Sequence, residues 1–509
     1  MDDPLQIVTS AAWTIAPELG IIAGATLLVL LGAFLPAATD DARRKARMIC
    51  VTIALIVLVV PLVMSFVSLS QPAAEIISSA PFVRDALSQV VQPLSLLAGL
   101  GLLLLAGQRL NAKFPAEHLA CLLFIVAGTS LAASANDLIS LFISLELISI
   151  PTYVLLYLSR PDKRSLEATV KYFLLSIFSS AFLLYGMSVL FGSAGSTNFA
   201  AIEASLHQAT GMVSVGMLEV ALVLVVAGLG FRIAAVPFHF YAPDVFQGTT
   251  LPVAALLAII PKIAGFVALL RLTWSILLTN QRADGPFIGL DRYGIIVVAG
   301  LAFFSMTVGN VLALLQTDLR RLLAYSSVAH AGYMLVGVAV PGAIAIDTNG
   351  AQAVLFYLLA YSIMTLGAFG VLVMLQKQDR PATNVSDLSG IGITNPGAAL
   401  LLAVFLLGLT GLPPTVGFWG KFNLFLVAWA SGTLFMKLLA IGLAINAAIA
   451  AWYYLRIIKT MYLDPPTTAA HTHQPETSPA LFGAMSLCAL ATIGLFFAPD
   501  ALWTLLQGM

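Results

Sequence analysis

Charge is what this sequence most lacks. Only 9% of its 509 residues are Asp, Glu, Lys or Arg, against 60% hydrophobic, whereas soluble domains carry about a quarter charged residues. With a mean hydropathy of +0.98, a water-soluble globule is excluded. Acidic and basic residues balance at 24 each, so no basic excess exists to attract nucleic acid. Cysteine is nearly absent: Cys50, Cys121 and Cys488 lie far apart in apolar runs without CxxC spacing. That excludes a disulfide framework and a cysteine-ligated metal, and leaves three small buried hydrophobes. GxxxxGK[ST] and HExxH are also missing, so neither nucleotide hydrolysis nor a bound redox metal is supported. The opening segment MDDPLQIVTSAAWTIAPELG has no basic stretch ahead of its apolar run, so it reads as a first membrane span, not a cleaved leader.

What the sequence has in abundance is long apolar runs. A helix needs roughly 20 such residues to cross the hydrocarbon. On that basis about fourteen spans start near Pro17, Met48, Gln92, Glu117, Leu138, Ala168, Met217, Thr250, Tyr293, Leu322, Ala351, Ala398, Phe435 and Ala480. The expected fold is an all-α polytopic membrane protein. Loops after odd-numbered spans hold Arg43, Arg44, Lys45, Arg47, Arg109, Lys113, Arg160, Lys163, Arg164, Arg320, Arg321, Lys377, Arg380, Arg456 and Lys459. Loops after even-numbered spans hold Arg84, Arg271, Arg282, Arg292 and Lys437. Basic loops favour the cytoplasmic side, so both termini, and the segment from Gly192 to Gly216, are expected on the outer face.

The chain repeats itself at an offset of about 180 residues. NDLISLF at Asn136 pairs with TDLRRLL at Thr317, and KYFLLSIF at Lys171 with FYLLAYSI at Phe356. GLGFRIAAVPFHFYAPD at Gly228 pairs with GLTGLPPTVGFWGKF at Gly408. Five spans separate equivalent helices, and because five is odd the second copy crosses in the opposite sense. The expected plan is an N-terminal three-helix segment (1–115), two inverted five-helix repeats (116–275 and 290–463) and a loop with a last span (464–509). Pro237, and the pair Pro413 and Pro414, each remove a backbone donor and interrupt their helices. Such breaks survive in a membrane where they are buried in protein or line a watery cavity.

A charge at the centre of a membrane helix costs about 2.5 to 3.5 kcal/mol on insertion scales, which makes intramembrane charges functional candidates. Glu146 lies about 12 Å into its span and Lys262 about 18 Å, at 1.5 Å per residue. Arg232 precedes the break at Pro237 and Lys421 follows Pro414. The competing readings are a static ion pair for Glu146 and Arg232, a structural partner to a carbonyl or carboxylate for Lys262, and snorkelling for Lys421. Lys171, one turn into its span, is closer still to a snorkelling position. Desolvation depresses lysine basicity, so the lysines suit proton exchange, whereas a guanidinium does not deprotonate in proteins. Arg232 is therefore a fixed charge. His239 and His330 are placed to bridge a relay or to sit as satisfied core histidines. His471 and His473 fall in a polar loop where solvent exposure outweighs a metal site. Asp137 and Asp318 read as helix caps.

ELISIP at Glu146, SLEATVKYFLLS at Ser165, VPFHFYAPDVFQG at Val236, QTDLRRLLAYSSVAHAGY at Gln316 and GLPPTVGFWGKF at Gly411 together resemble the antiporter-like membrane subunits of bacterial respiratory NADH:quinone oxidoreductase (complex I), in particular the subunit N family. Relatives of the L, M and Mrp antiporter types tend to read DAMEAPTP where this chain has DVFQGTTLP. The M type has Glu at the position of Lys421, and the L type adds a long lateral helix after its last span. The resemblance implies a proton channel containing Glu146, Lys262 and Lys421, coupled to quinone reduction elsewhere. FMN, iron–sulfur clusters and quinone would belong to partner subunits. It also implies a place in the bacterial inner membrane beside the M subunit and small membrane subunits such as K. The family usually has lysine where this chain has Arg232. A cation/proton antiporter of the Mrp type is the alternative function, and a structural spacer a third.

Overall fold

The computed structural model describes residues 11–34, 40–69, 80–109, 114–160, 162–208, 215–272, 288–340, 349–376, 383–466 and 479–506. Lys113, Arg282, Lys377, Arg380, His471 and His473 lie outside the described residues. Among the described residues the chain is helical, with isolated bridges and no strand. The helices are α1 (Ala16–Gly32), α2 (Asp40–Leu69), α3 (Ala86–Arg109), α4 (Pro115–Ser134), α5 (Leu138–Ser159), α6 (Lys163–Ala194) and α7 (Phe199–Gln208). After these come α8 (Val215–Arg232), α9 (Ala242–Gly248), α10 (Leu251–Leu269), α11 (Ile288–Leu314), α12 (Leu319–Val338) and α13 (Gly350–Leu375). The last are α14 (Ile391–Thr394), α15 (Pro396–Thr410), α16 (Val416–Ala430), α17 (Leu434–Tyr462), α18 (Pro479–Phe497) and α19 (Asp500–Leu506).

Ten of these are long and apolar enough to cross a membrane, and α1, α15 and α16 are shorter apolar helices. A helix begins within eight residues of each expected start, but α8 and α12 are neither among the ten nor among the shorter apolar helices. The stretch expected as the twelfth span is two 15-residue helices, α15 and α16, because the prolines between them leave no continuous backbone ladder. The segment expected as an outer loop contains the short α7, and α19 follows the last long helix.

Helix starts follow local chemistry. Asp137 accepts from the Ser140 amide while the Ser140 hydroxyl reaches back, a capping box, and Asp318 accepts from the amides of Arg320 and Arg321. Both caps bear out the sequence reading. Pro17, Pro115 and Pro396 occupy first-turn positions, where no N–H is needed. The residues beside each Asp cap are also clipped to a later segment. Leu138 N donates to Thr197 O at 2.9 Å and Phe199 N to Asn136 O at 3.1 Å. In the same way Leu319 N donates to Thr383 O at 2.8 Å and Val385 N to Thr317 O at 2.9 Å.

The chain forms two compact units. One comprises the residues through Arg232 together with Ile263–Ile295, the other Ile233–Lys262 together with Ile296–Gly508. In the first, Arg271 is a correction to the loop reading. It is buried at the end of the α10 span and grips Asp85 with both terminal nitrogens, at 2.7 and 2.9 Å, while also reaching the Ala133 carbonyl. In the second, Arg320 donates to Thr249 O, Arg321 pairs with Asp244 and Arg456 donates to Leu314 O and Gln316 O. These loop cations also fasten helix ends. Cys50 and Cys121 are buried and Cys488 partly so, all three free.

Gly411 closes α15 in the left-handed conformation with φ +86°, and a Cβ there would stand 2.9 Å from the Lys421 Cδ. Gly411→Ala is expected to destabilise the chain by at least the roughly 1 to 2 kcal/mol of a left-handed non-glycine residue. The check is a thermal melt in detergent beside Gly195→Ala, whose Cβ meets nothing within 4 Å. Equal shifts would show that the contact with Lys421 adds nothing.

Candidate functional site: lysines on broken helices

Backbone chemistry at the interrupted helices builds the site. In a continuous helix the amide of residue i serves the carbonyl of residue i−4. Pro237 has no amide hydrogen to offer Ile233 O, and Pro413 and Pro414 have none for Leu409 O and Thr410 O. These three carbonyls are the ones that lysines take. Lys262 on α10 donates to Ile233 O at 3.0 Å and to Ser327 O at 2.7 Å. Lys421 on α16 donates to Leu409 O at 2.9 Å and Thr410 O at 2.8 Å. Both side chains are buried, at 2% and 5% exposure. Lys421 is therefore no snorkelling residue, and of the competing readings for Lys262 it is the carbonyl partner that the geometry matches.

Between the two ammonium groups runs a connected set of rings, all within the second unit. Lys262 Nζ lies 6.0 Å from the centre of the Tyr361 ring, and the Tyr361 hydroxyl donates to Ser327 Oγ at 3.1 Å. His330 sits 5.1 Å from Tyr361 and 5.6 Å from Tyr333, centre to centre. Lys421 Nζ lies 4.7 Å from the centre of the Tyr333 ring. Each nitrogen of His330 has a phenol partner: Nδ1 is 2.6 Å from the Tyr357 hydroxyl and Nε2 3.1 Å from that of Tyr454. The tautomer decides which of each pair donates. Tyr454 also bonds to Ser326. Beyond Tyr333, Asn310 Nδ2 donates to its hydroxyl at 2.8 Å, and Tyr453 donates to Asn310 Oδ1 at 3.1 Å.

In the first unit, Arg232 Nη2 meets Glu146 Oε1 at 2.9 Å, and the Ser180 hydroxyl donates to the same oxygen at 2.6 Å. Arg232 Nη1 donates to Leu145 O at 3.1 Å and Ser149 Oγ at 2.8 Å. Arg232 is 8% exposed; a carboxylate, a carbonyl and hydroxyls hold its two terminal nitrogens, while its buried Nε has no hydrogen-bond partner among the described residues. Arg232 and Ile233 are consecutive, so the residue that ends α8 with a fixed charge is joined directly to the carbonyl that holds Lys262.

The remaining candidates sit apart from these groups. His239 lies in the break after α8, its ring centre 6.5 Å from that of Tyr325, and its buried Nδ1 has no hydrogen-bond partner. Lys171 pairs with Glu167 one turn earlier at 2.6 Å, both side chains substantially exposed. It joins neither lysine site nor the Glu146–Arg232 pair.

A family model described as NADH:quinone oxidoreductase/Mrp antiporter, TM, matches residues 135–446, which include all of these groups except Tyr453 and Tyr454. An NADH-quinone oxidoreductase subunit N from Anaeromyxobacter sp. (strain Fw109-5) is 35% identical over 97% of this chain and 96% of its own length. Another, from Chlorobium chlorochromatii (strain CaD3), is 41% identical over 75% of this chain and 73% of its own. The chain belongs to the NADH-quinone oxidoreductase subunit N family. A chain of respiratory complex I from Thermus thermophilus superimposes with a TM-score of 0.78 at 30% identity, covering 97% of this chain and all of that one. A chain of the Mrp complex from Dietzia sp. DQ12-45-1b reaches 0.79 at 22% identity, over 97% and 96%, and so shares the fold.

For this subunit N family member, reading the sequence by its charges misses the uncharged part of the site. Tyr333, Tyr357, Tyr361, Tyr453 and Tyr454 are fully buried; Ser180 bridges Glu146 and Arg232, Ser149 accepts from Arg232, Ser327 meets both Lys262 and Tyr361, and Asn310 holds Tyr333 and Tyr453. A signal was present: YSSVAHAGY brings two serines, a histidine and two tyrosines into one apolar span. Because Lys421 is the donor for two proline-freed carbonyls, Lys421→Met should lower stability by about 2 to 6 kcal/mol, at roughly 1 to 3 per unsatisfied buried group. Lys171→Met, which loses an exposed pair, should change it by less than about 1 kcal/mol. Detergent melts in which both variants shift alike would disprove the assignment.

Proposed function

We propose that this chain is the proton-translocating, antiporter-like membrane subunit N of an NADH:quinone oxidoreductase, with no redox centre of its own. In this reading electron transfer from NADH to quinone proceeds in partner subunits that carry FMN and iron–sulfur clusters. The chain crosses a bacterial inner membrane about fourteen times, both termini outside, with inverted five-helix repeats at 116–275 and 290–463 between an N-terminal three-helix segment and a last span. Its neighbours in the assembly are the antiporter-like M subunit and small membrane subunits such as K. The two helices broken by proline, and the two Asp-capped helices with matching clips, support the repeat.

The observation that carries the reading is how the lysines are held. A lysine ammonium has three N–H donors, and each of these lysines spends two on carbonyls. The third proton is free to leave toward an acceptor, and the remaining amine still has two N–H bonds for the same carbonyls. Proton release therefore does not undo the structural contact. A hydroxyl or imidazole chain can then move the proton between Lys262 and Lys421, with His330 and its two phenols as the intermediate. Glu146 bound to Arg232 is a carboxylate beside a permanent cation, so its loading state sets the charge near the first break, while Arg232 steers without carrying. His239 completes the set near the break; Lys171 is the outermost member.

In the intact complex reconstituted in vesicles, Lys262→Ala or Lys421→Ala should reduce protons pumped per electron; full stoichiometry in both would sink the relay. Lys262→Arg is more discriminating: it keeps donors and charge but cannot release a proton, so assembly should survive and pumping should fall. A structural spacer predicts normal pumping in that variant. Arg232→Lys should preserve pumping and Arg232→Ala impair it, since a fixed positive charge is the role assigned. Sodium–proton exchange by the purified chain alone would favour the antiporter reading.

A further inference from the structure

The first four helices border a half-open cavity that the proton path does not use. Its volume is about 340 Å³, within the size range of small-molecule sites. It is lined by Glu18 at the start of α1, Met64 and Val67 near the end of α2, Arg84 just before α3, and Ser130 in the last turn of α4. A start, an end, a start and an end place it at one extremity of these helices, the depth at which a bilayer changes from hydrocarbon to headgroups.

Two opposite charges face this cavity with unused bonding capacity. Glu18 is 1% exposed; its Oε1 accepts from Ser130 Oγ at 2.6 Å and Gln92 Nε2 at 2.9 Å, while Oε2 is buried with no partner. Arg84 likewise buries Nε and Nη2 without a hydrogen-bond partner, and among the described residues no ion pair joins it to Glu18. A buried charge with unused bonding sites is costly; Glu18 and Arg84 interact electrostatically, yet Glu18 Oε2 and Arg84 Nε and Nη2 all lack a hydrogen-bond partner and both residues line the same space. The cavity also has an apolar outer wall, since Met64, Val67 and Trp13 are 49%, 57% and 82% exposed. Tryptophan is the residue type favoured at membrane interfaces.

We propose that this cavity binds the headgroup of a membrane phospholipid bearing a primary amine, of the phosphatidylethanolamine class. The Nε and Nη2 edge of Arg84 presents two donors suited to a phosphate. Glu18 Oε2 requires a hydrogen-bond donor, and a primary ammonium supplies charged N–H groups where a trimethylated choline supplies none. An anionic glycerol headgroup would satisfy Arg84 but offer the carboxylate only neutral hydroxyls, weaker donors than an ammonium. The acyl chains then run along Met64 and Val67 into the bilayer.

The test uses phospholipids with a photoreactive diazirine near the start of one acyl chain and an ethanolamine, choline or glycerol headgroup. Each is incorporated in nanodiscs holding the full-length chain in its membrane assembly. Labelling of the Pro61–Val67 stretch is read by peptide mass spectrometry. The ethanolamine probe should label about tenfold more than the other two, the worth of one charge-assisted hydrogen bond. Glu18→Gln should bring it down to the choline level, and Arg84→Gln should lower ethanolamine and choline labelling together. Equal labelling by all three probes in the unaltered chain, or strongest labelling by the glycerol probe, overturns the proposal. That comparison decides even if a variant fails to assemble. Labelling that keeps the ethanolamine preference in a well-assembled Glu18→Gln variant overturns it too.

Discussion

A backbone carbonyl that has lost its helical donor inside hydrocarbon must find another, and in this chain the donor is a lysine. Leaving such a group unsatisfied costs about 1 to 3 kcal/mol, and burying an unpaired ammonium costs several more. Put together, each problem offsets the other. Pro237 frees Ile233 O for Lys262, and Pro413 and Pro414 free Leu409 O and Thr410 O for Lys421. The breaks and the charges are thus one feature. Neither lysine can drift to the surface without exposing a carbonyl to lipid, so the titratable groups stay at fixed places along the interior.

The arrangement separates two kinds of cation. Arg232 is wrapped by Glu146, Ser149, Ser180 and the Leu145 carbonyl, an environment that suits a charge that never leaves. The lysines face carbonyls and aromatic rings, and among the described residues no carboxylate is a hydrogen-bond partner of either. That contrast is chemical and independent of the overall fold, which is shared with a chain of the Mrp complex at 22% identity.

Much of this was legible in the sequence. The all-helical membrane class, the two interruptions and the four central charges follow from apolar run length, proline and the cost of a buried charge. The offset of four from each proline even names the freed carbonyls, Ile233, Leu409 and Thr410, before any fold is known. What the sequence alone could not supply is who answers them. Lys262 is 29 residues from Ile233, and that closure belongs to tertiary packing. The tyrosines around His330 were illegible for another reason: a buried phenol in an apolar span looks like any large core side chain until its hydroxyl is seen to meet a partner. Arg271 looked like a loop charge because it sits at the end of its apolar run, yet it is committed to Asp85.

The clips beside Asp137 and Asp318 bear on how the chain comes to be folded. The first closes around α5 and α6, the second around α12 and α13, so each ties off one helical hairpin soon after its second helix is made. Nothing synthesised later is required for either closure. Domains mature from the N-terminal end as synthesis proceeds. Each hairpin is thereby fastened before the proline-broken helix that follows it emerges, and the least self-sufficient segments of the chain arrive to find a wall already standing.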